Sequence, residues 1–100
     1  MLERHPEAVM IFITLAKFRK KMTKEYVATT DKAFAALAKE DTKIIGAYWT
    51  LGRYDAVILA EGPDKGAVER AFRTDMAVSE FAATETLVAL KREDAIKLLG

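Results

Sequence analysis

The chain has no cysteine, only two prolines and a single histidine, His5. Without cysteine it can form no disulfide bond, thiolate nucleophile, or zinc or iron–sulfur site with cysteine ligands. This composition fits the cytoplasm, where we expect the protein to reside. A metal site would have to be built from carboxylates, which show no recognisable ligand spacing, so we expect neither a metal site nor a cofactor.

A long hydrophobic run is also missing. The longest run, Ala8 to Ala16, has nine residues, whereas a helix that crosses a bilayer needs about 20. It is followed by the basic stretch Lys17 to Lys21 and not by small residues typical of a signal-peptide cleavage site. We therefore expect no membrane partner and interpret the run as a strand of the mature protein.

Neither sign of charge dominates, because the chain has 16 basic and 15 acidic residues. The whole chain therefore has no electrostatic field that would attract nucleic acid. The cluster Lys17 to Lys21, which includes Phe18, could bind phosphate or an RNA backbone, and such binding would weaken at high salt. The strands carry no aromatic pair of the kind that stacks RNA bases. We interpret the cluster as a solvated loop and do not expect nucleic acid as a partner.

What the chain does contain is a regular succession of apolar runs and amphipathic stretches within 100 residues, enough for a single domain, 1–100, with its own core. Runs rich in β-branched residues predict four strands, at Ala8 to Leu15, Lys43 to Leu51, Tyr54 to Glu61 and Phe81 to Leu90. Helical spacing predicts two helices, from the N-cap Thr23 to about Lys39 and from the N-cap Asp64 over Lys65 to about Ser79, and a short tail helix over Arg92 to Leu99. The order β-α-β-β-α-β predicts an α+β, ferredoxin-like fold with an antiparallel sheet in the order 4-1-3-2.

A tight hairpin is predicted where Gly52 and Arg53 separate the second and third strands. Glycine at the first central position suits a type II′ turn, in which that residue has a positive φ. A two-residue turn pairs Leu51 with Tyr54, and every second residue then shares a face. Residues predicted to face the helices are Val9, Ile11, Ile13, Leu15, Ile45, Ala47, Trp49, Leu51, Tyr54, Ala56, Ile58 and Ala60. Residues predicted on the opposite face are Met10, Phe12, Ile44, Gly46, Tyr48, Thr50, Asp55, Val57, Leu59 and Glu61.

Both helices are expected on the first face, so the second face would remain uncovered. Its apolar residues would form a patch larger than most monomers expose. The same face of a second copy is the simplest cover, through a two-fold interface. We therefore predict a homodimer or a higher oligomer; the alternative is cover by the tail helix. In the second helix the inward spacing runs through Val68, Ala71, Phe72, Asp75 and Met76, with Asp75 as its only charged residue.

Three short motifs resemble the GYD domain family. They are Gly52-Arg53-Tyr54-Asp55, which has the Gly-x-Tyr-Asp pattern of the family name, Glu61-Gly-Pro63-Asp64 before the second helix, and Thr84-Glu85-Thr86 in the last strand. The resemblance implies a dimeric α/β-barrel protein, in which two ferredoxin-like sheets face each other around a central space. The chain departs from the family pattern at Ser79 to Ala83, where such proteins usually carry a glycine-rich turn and an arginine.

Two functions follow as hypotheses. The first is a small oligomeric binding or structural module with a small-molecule ligand between the facing sheets. The ligand-binding candidates are Met10, Phe12, Tyr48, Thr50, Asp55 and Glu85. The second, by analogy with the fold group, is a cofactor-independent enzyme, such as a small-aromatic monooxygenase or an isomerase, that uses Asp55 and Glu85 as acid–base residues. The structural alternative is that Asp55 caps backbone N–H groups of the hairpin and that Glu85 pairs with a basic residue. Gly52, Tyr54 and Asp64 are assigned turn or structural roles.

Overall fold

The computed structural model describes residues 9–100, so His5 and the predicted strand residue Ala8 lie outside the described part. The strands are β1 (Val9–Phe18), β2 (Lys43–Trp49), β3 (Ala56–Pro63) and β4 (Ala82–Ala89), and the helices are α1 (Lys24–Ala38), α2 (Ala67–Ala77) and α3 (Arg92–Lys97). All strand pairs are antiparallel and the sheet order is β2-β3-β1-β4. The predicted ferredoxin-like fold and strand order are confirmed. Within residues 9–100 no helix has the length and apolar character needed to cross a membrane.

The two long helices begin in different ways. Thr23 is the N-cap of α1, as predicted, and its hydroxyl accepts a hydrogen bond from the backbone N–H of Tyr26 at 3.1 Å. The prediction that Asp64 caps α2 was wrong. The N-cap is Gly66, in the left-handed conformation at φ 75°, which glycine adopts without steric cost. Asp64 contributes only its backbone carbonyl, which accepts from Ala67 N–H at 3.1 Å.

The faces of β1 are the reverse of the prediction. Phe12, Thr14 and Ala16 line the space under the helices, so Met10 shares that face by alternation. Val9, Ile11, Ile13 and Leu15 therefore lie on the opposite face of the sheet, the open face, which neither long helix covers. The register agrees, because Ile13 pairs with Leu59 and Leu15 pairs with Val57. Since β1 is apolar on both faces, its sequence pattern did not distinguish them.

A β-bulge changes the faces of β2 as well. The register with β3 shifts between Ile44 and Gly46, so Ile44 turns to the helix side, where it lines the same space as Phe12. The prediction that Ile44 lies on the open face was therefore wrong. Ile45 lies at the bulge and is exposed. One extra residue in a strand reverses the faces of every residue beyond it.

The β2–β3 turn is wider than predicted, because Leu51 to Tyr54 all lie outside the strands. The loop is closed by Thr50, whose N–H donates to the Asp55 carbonyl at 2.8 Å and whose hydroxyl donates to the Tyr54 carbonyl at 2.7 Å. Gly52 has the predicted positive φ, 124°. Trp49, predicted to be core, is 67 % exposed at the sheet edge and touches Phe18 edge-on, with ring centroids 6.5 Å apart.

The apolar stripe of α2 also differs from the prediction. Val68, Phe72 and Met76, expected to point inward, are each 64 % exposed. The inward positions belong to Ala67, Arg70, Ala71, Thr74, Asp75 and Val78. The helix thus packs its small and polar residues against the sheet, which leaves space between the layers.

The buried core is small and lies at one end of the helix–sheet interface. Its members are Ala16, Tyr26, Ala56, Val78, Phe81 and Ala82, with Phe18 and Met22 packed against them. Tyr26 makes edge-on contacts with Phe18 and Phe81, with centroid distances of 5.3 and 5.4 Å. Every residue of α3 is exposed, so the tail helix does not cover the open face of the sheet.

Gly62 is required by a close approach inside the sheet. A Cβ at this buried position would lie 2.5 Å from the hydroxyl oxygen and 3.2 Å from the Cα of Thr42. We expect Gly62→Ala to lower the free energy of unfolding by about 1–3 kcal/mol, because a packed backbone cannot easily make room. Gly46→Ala is the matched control, since its Cβ would meet only the side chain of the exposed Tyr48, which can rotate away. Denaturant unfolding that gave equal losses for both variants would contradict this explanation.

Candidate functional site

A cavity of about 60 Å³ lies between the sheet and the two long helices and opens to the surface. One water molecule needs about 10–15 Å³ of such space, so the cavity admits a molecule of several heavy atoms. Its walls are mainly apolar and include the aromatic side chains of Phe12, Tyr26 and Phe34. Its polar side chains are those of Thr14, Thr30, Thr42, Arg70, Thr74, Asp75, Thr84 and Thr86. Apolar walls with a few convergent polar groups are typical of small-molecule sites.

Asp75 and two threonines form a hydrogen-bonded chain on one wall of this cavity. The Thr86 hydroxyl donates to the Asp75 carboxylate at 3.2 Å, and the hydroxyls of Thr14 and Thr86 lie 3.1 Å apart. Because the Thr86 proton is used on Asp75, the Thr14 hydroxyl donates to Thr86. The chain joins β1, β4 and α2 at one point.

Partial burial raises the pKa of Asp75, and the hydroxyls of Thr86 and Thr84 oppose that rise by hydrogen bonding. Between residues 9 and 100 the ion pairs involve only other acidic residues: Glu40, Glu80 and Asp94. Asp75 is therefore a carboxylate in mainly apolar surroundings without a basic partner, an arrangement that costs folding free energy. Such carboxylates are frequent at functional sites.

Among the residues that the structure describes, Arg70 is the only basic one that lines the cavity, and it is 5 % exposed. Its guanidinium donates to the backbone carbonyls of Lys65, at 2.7 Å, and of Pro63. These bonds fasten the turn between β3 and α2. Arg70 therefore has a structural role here and supplies a positive charge that lies in the same cavity as Asp75.

Asp55 acts on the backbone, in agreement with its structural alternative, but at β1 and not at its own hairpin. One carboxylate oxygen accepts the N–H of Phe18 at 2.7 Å, and Asp55 N–H donates to the Ala16 carbonyl at 2.8 Å. β1 extends two residues beyond Ala16, the last residue that pairs with β3. The Asp55 carboxylate thus accepts the hydrogen bond that a backbone carbonyl of a neighbouring strand would otherwise accept. A short hydrogen bond to an ionised group is among the stronger ones in proteins.

Tyr54 crosses β1 to reach β4. Its hydroxyl donates to a carboxylate oxygen of Glu85 at 3.0 Å, and this bond raises the pKa of Tyr54. Thr84 and Thr86 line the cavity, so Glu85 between them points to the open face, as strand alternation requires. The prediction that Tyr54 belongs to the core under the helices was therefore wrong. The tyrosine and aspartate of the Gly-x-Tyr-Asp motif tie the hairpin to β4 and β1.

The remaining predicted ligand residues do not form one group. Phe12 is in the cavity, whereas Tyr48 is 59 % exposed on the outer strand β2, and the Thr50 hydroxyl closes the hairpin. The sequence did not predict that Thr14, Thr84 and Asp75 lie together in one site. The available signal was Asp75 itself, the only charged residue in the inward spacing that the sequence predicted for the second helix.

The basic cluster is held by local contacts. Arg19 donates from Nε to the Ser79 carbonyl at 2.8 Å, and Lys20 lies 3.7 Å from Glu80 and 5.4 Å from the centre of the Phe81 ring. These contacts join the end of β1 to the segment before β4, where the chain departs from the family pattern. In the part of the chain from Val9 onward, no three histidine or acidic side chains converge as metal ligands.

A four-stranded antiparallel sheet in the order 2-3-1-4, with both long helices on one face, defines a ferredoxin-like α+β protein. The GYD domain family matches residues 11–99, and the chain belongs to that family. No curated protein matches the sequence.

Solved structures share this fold at low sequence identity. SnoaB, a cofactor-independent oxygenase from Streptomyces nogalater, is similar with a TM-score of 0.61 and 15 % identity, over 84 % of this chain and 93 % of that one. AsnC of E. coli is similar with a TM-score of 0.53 and 24 % identity, over 84 % and 52 %. PH0061 is similar with a TM-score of 0.57 and 15 % identity, over 83 % and 53 %. The chain thus spans about half the length of the last two.

The burial of Asp75 predicts a specific pH dependence of stability. Its pKa is raised in the folded protein, so Asp75 favours folding below the ordinary aspartate pKa of about 4 and loses this contribution as the pH rises through the folded value. We expect Asp75→Asn to unfold at higher denaturant concentration than the wild type at pH 7, with the difference shrinking towards pH 4. Asp31→Asn, on the exposed side of α1, controls for net charge. A difference between Asp75→Asn and wild type that is constant from pH 4 to 8 would contradict the prediction.

Proposed function

We propose that this protein is a homo-oligomeric small-molecule-binding module. Its copies associate through the open face of the sheet, and each copy binds a ligand in the cavity between sheet and helices. The observation that carries the binding role is the cavity itself, with its apolar walls and the Asp75, Thr86 and Thr14 chain. We propose a cytoplasmic location on the basis of the cysteine-free composition.

The open face supports self-association by its apolar centre. Side chains from β1, β3 and β4 meet there in register, because Ile13 lies between Leu59 and Leu87 and Leu15 pairs with Val57. Neither long helix covers them, and α3 is exposed throughout. Four strands about 4.8 Å apart and about eight residues long give a flat area on the order of 500 Å² per copy. Two copies would bury about 1,000 Å² in total, which is near the lower bound for a specific interface.

The charges around this face favour a second copy as the occupant. Lys17 and Glu85 lie at one end of the face, and Lys43 and Glu61, which pair with each other across β2 and β3, lie at the other. Each end therefore carries one charge of each sign. A face with this balance can meet its own copy about a two-fold axis with opposite charges opposed.

We assign the ligand to the helix-side cavity and not to the space between facing sheets. The carboxylates predicted for the inter-sheet site already have intramolecular partners, since Asp55 accepts from Phe18 N–H and Glu85 accepts from the Tyr54 hydroxyl. Asp75 forms no ion pair with any basic residue from Val9 to Gly100. The cavity therefore offers a group whose bonding a ligand would improve.

An NMR titration of the ¹⁵N-labelled protein with phenol tests the binding role. We expect shift changes to concentrate at the cavity residues of β1, β4 and α2. Ala71→Leu should abolish them by filling the cavity, because Ala71 lines it. Ala28→Leu, at an exposed position of α1, should leave them unchanged. Shift changes confined to the open face, or equal effects of the two variants, would contradict the assignment.

A cofactor-independent oxygenase or other acid–base enzyme is the second candidate. It is supported by the carboxyl group of Asp75 within the cavity and by the shared fold with SnoaB, a cofactor-independent oxygenase. In this case Asp75, and not Asp55 or Glu85, would be the acid–base group. Oxygen consumption with phenolic substrates that stops in Asp75→Asn would favour this candidate. Binding without consumption would favour the binding module.

A further inference from the structure

The charges in the cavity limit the kind of ligand that it can hold. Among residues 9–100, Asp75 and Arg70 are the only side chains in its lining that are charged at neutral pH. A charged ligand in a cavity of about 60 Å³ would lie near the side chain of like charge as well as near the one of opposite charge. In mainly apolar surroundings the like-charge repulsion is costly, because charges interact strongly at low dielectric. A neutral ligand avoids both costs.

The hydrogen bonds of the cavity wall show what the ligand must offer. The Thr86 hydroxyl donates its hydrogen bond to Asp75, and the Thr14 hydroxyl donates its hydrogen bond to Thr86. An ionised carboxylate accepts up to about four hydrogen bonds, so Asp75 has acceptor capacity left, and this wall has more unused acceptors than donors. The matching ligand group is a donor.

The other walls determine the remainder of the ligand. Phe12 and Phe34 line the cavity together with Ile58 and Leu37, so the body of the ligand must be apolar. The volume of about 60 Å³ limits the enclosed part to several heavy atoms. We propose that the cavity selects neutral hydroxyl compounds, alcohols or phenols with a small apolar body, and that Asp75 accepts their hydroxyl proton in a hydrogen bond.

This inference rests on the proposed binding role. Four probe molecules of similar size can show whether the inference fails alone or together with the binding role. Phenol is neutral and carries a donor, toluene is neutral without one, benzylamine is cationic and benzoate is anionic at pH 7. We expect phenol to bind at least about tenfold more tightly than toluene in the wild-type protein, since an unmatched buried polar group is costly. Benzylamine and benzoate should bind more weakly than phenol.

The variant Asp75→Leu tests the role of the carboxylate. It keeps a side chain of similar size, so we expect toluene to bind as before or more tightly and the preference for phenol to disappear. Asp75→Asn, which keeps the size of the side chain and one acceptor oxygen but removes the charge, should reduce the preference for phenol and serves as the second variant if Asp75→Leu does not fold.

The outcomes distinguish the inference from the binding role. Equal affinities for phenol and toluene, or tighter binding of benzylamine or benzoate in the cavity, would overturn the inference and leave the binding role standing. A preference for phenol that is unchanged in Asp75→Leu or in Asp75→Asn would also overturn it. Absence of binding for all four probes would overturn the binding role and the inference with it.

Discussion

We expect Ile13→Glu to abolish the proposed self-association and to leave a folded monomer. Ile13 lies at the centre of the open face, between Leu59 of β3 and Leu87 of β4. In a two-fold interface the substitution would bury two carboxylates, one from each copy. The effective penalty for burying an unpaired ion is several kcal/mol, so association should be lost. Sedimentation velocity measures the change, and circular dichroism shows that the fold is retained.

Val88→Glu is the matched control for this substitution. Val88 is an exposed valine on β4 that alternates to the helix side, next to Leu87 of the open face. The substitution Val88→Glu adds the same charge to the same sheet but on the helix side, so it should leave the assembly intact. If Ile13→Glu kept the mass of the wild-type assembly, or if Val88→Glu dissociated it equally, the open face would not be the interface.

Asp55→Ala will destabilise the protein by about 1.5–3 kcal/mol, the range for hydrogen bonds to charged groups. The substitution leaves the N–H of Phe18 without its acceptor, to which it is now bound at 2.7 Å. Phe18 packs against the buried core and contacts Tyr26, so the loss affects the junction of β1, β3 and the core. For a domain of this size about 2 kcal/mol lowers the melting temperature by roughly 10 °C.

Two further variants separate the hydrogen bond from the charge. Asp55→Asn keeps a side-chain oxygen and should recover part of the lost stability. Asp31→Ala removes an exposed aspartate from α1 and should change the melting temperature little. An Asp55→Ala variant as stable as Asp31→Ala would show that the carboxylate does not support β1.

The sequence predicted the order, type and approximate bounds of the elements because those features depend on local patterns. The β-branched runs, the Thr23 N-cap and the glycine of the hairpin each reflect local chemistry, and the structure agrees with them. The strand order followed from the handedness of the two crossovers. The N-cap of α2 was missed because Gly66 caps by backbone conformation and offers no side-chain signal.

The faces of the sheet could not be read from the sequence. β1 is apolar at successive positions, so Ile13 and Phe12 are equally suited to either face. The register counted back from the hairpin failed at Ile44, because the bulge reversed the alternation there. On α2 the large residues Phe72 and Met76 suggested the inward face, yet the close packing at Ala67 shows that small residues occupy it.

The candidate site was only partly visible in the sequence. Thr84-Glu85-Thr86 was identified as a motif. That its two threonines face the cavity while Glu85 faces Tyr54 follows only from the register of β4 with β1, which the sequence does not give. Asp75 lies nine residues before Thr84 and meets Thr14 only through Thr86. Side chains that converge from three elements leave no spacing that a single sequence can show.

Native mass spectrometry of the gently purified protein tests most directly whether the chain acts as a self-associating binding module. The assembly is predicted to be an even multiple of the 11.1 kDa chain, and a retained small molecule would add a mass that Ala71→Leu removes. A monomer at all micromolar concentrations would contradict the account, because no helix within residues 9–100 covers the apolar open face.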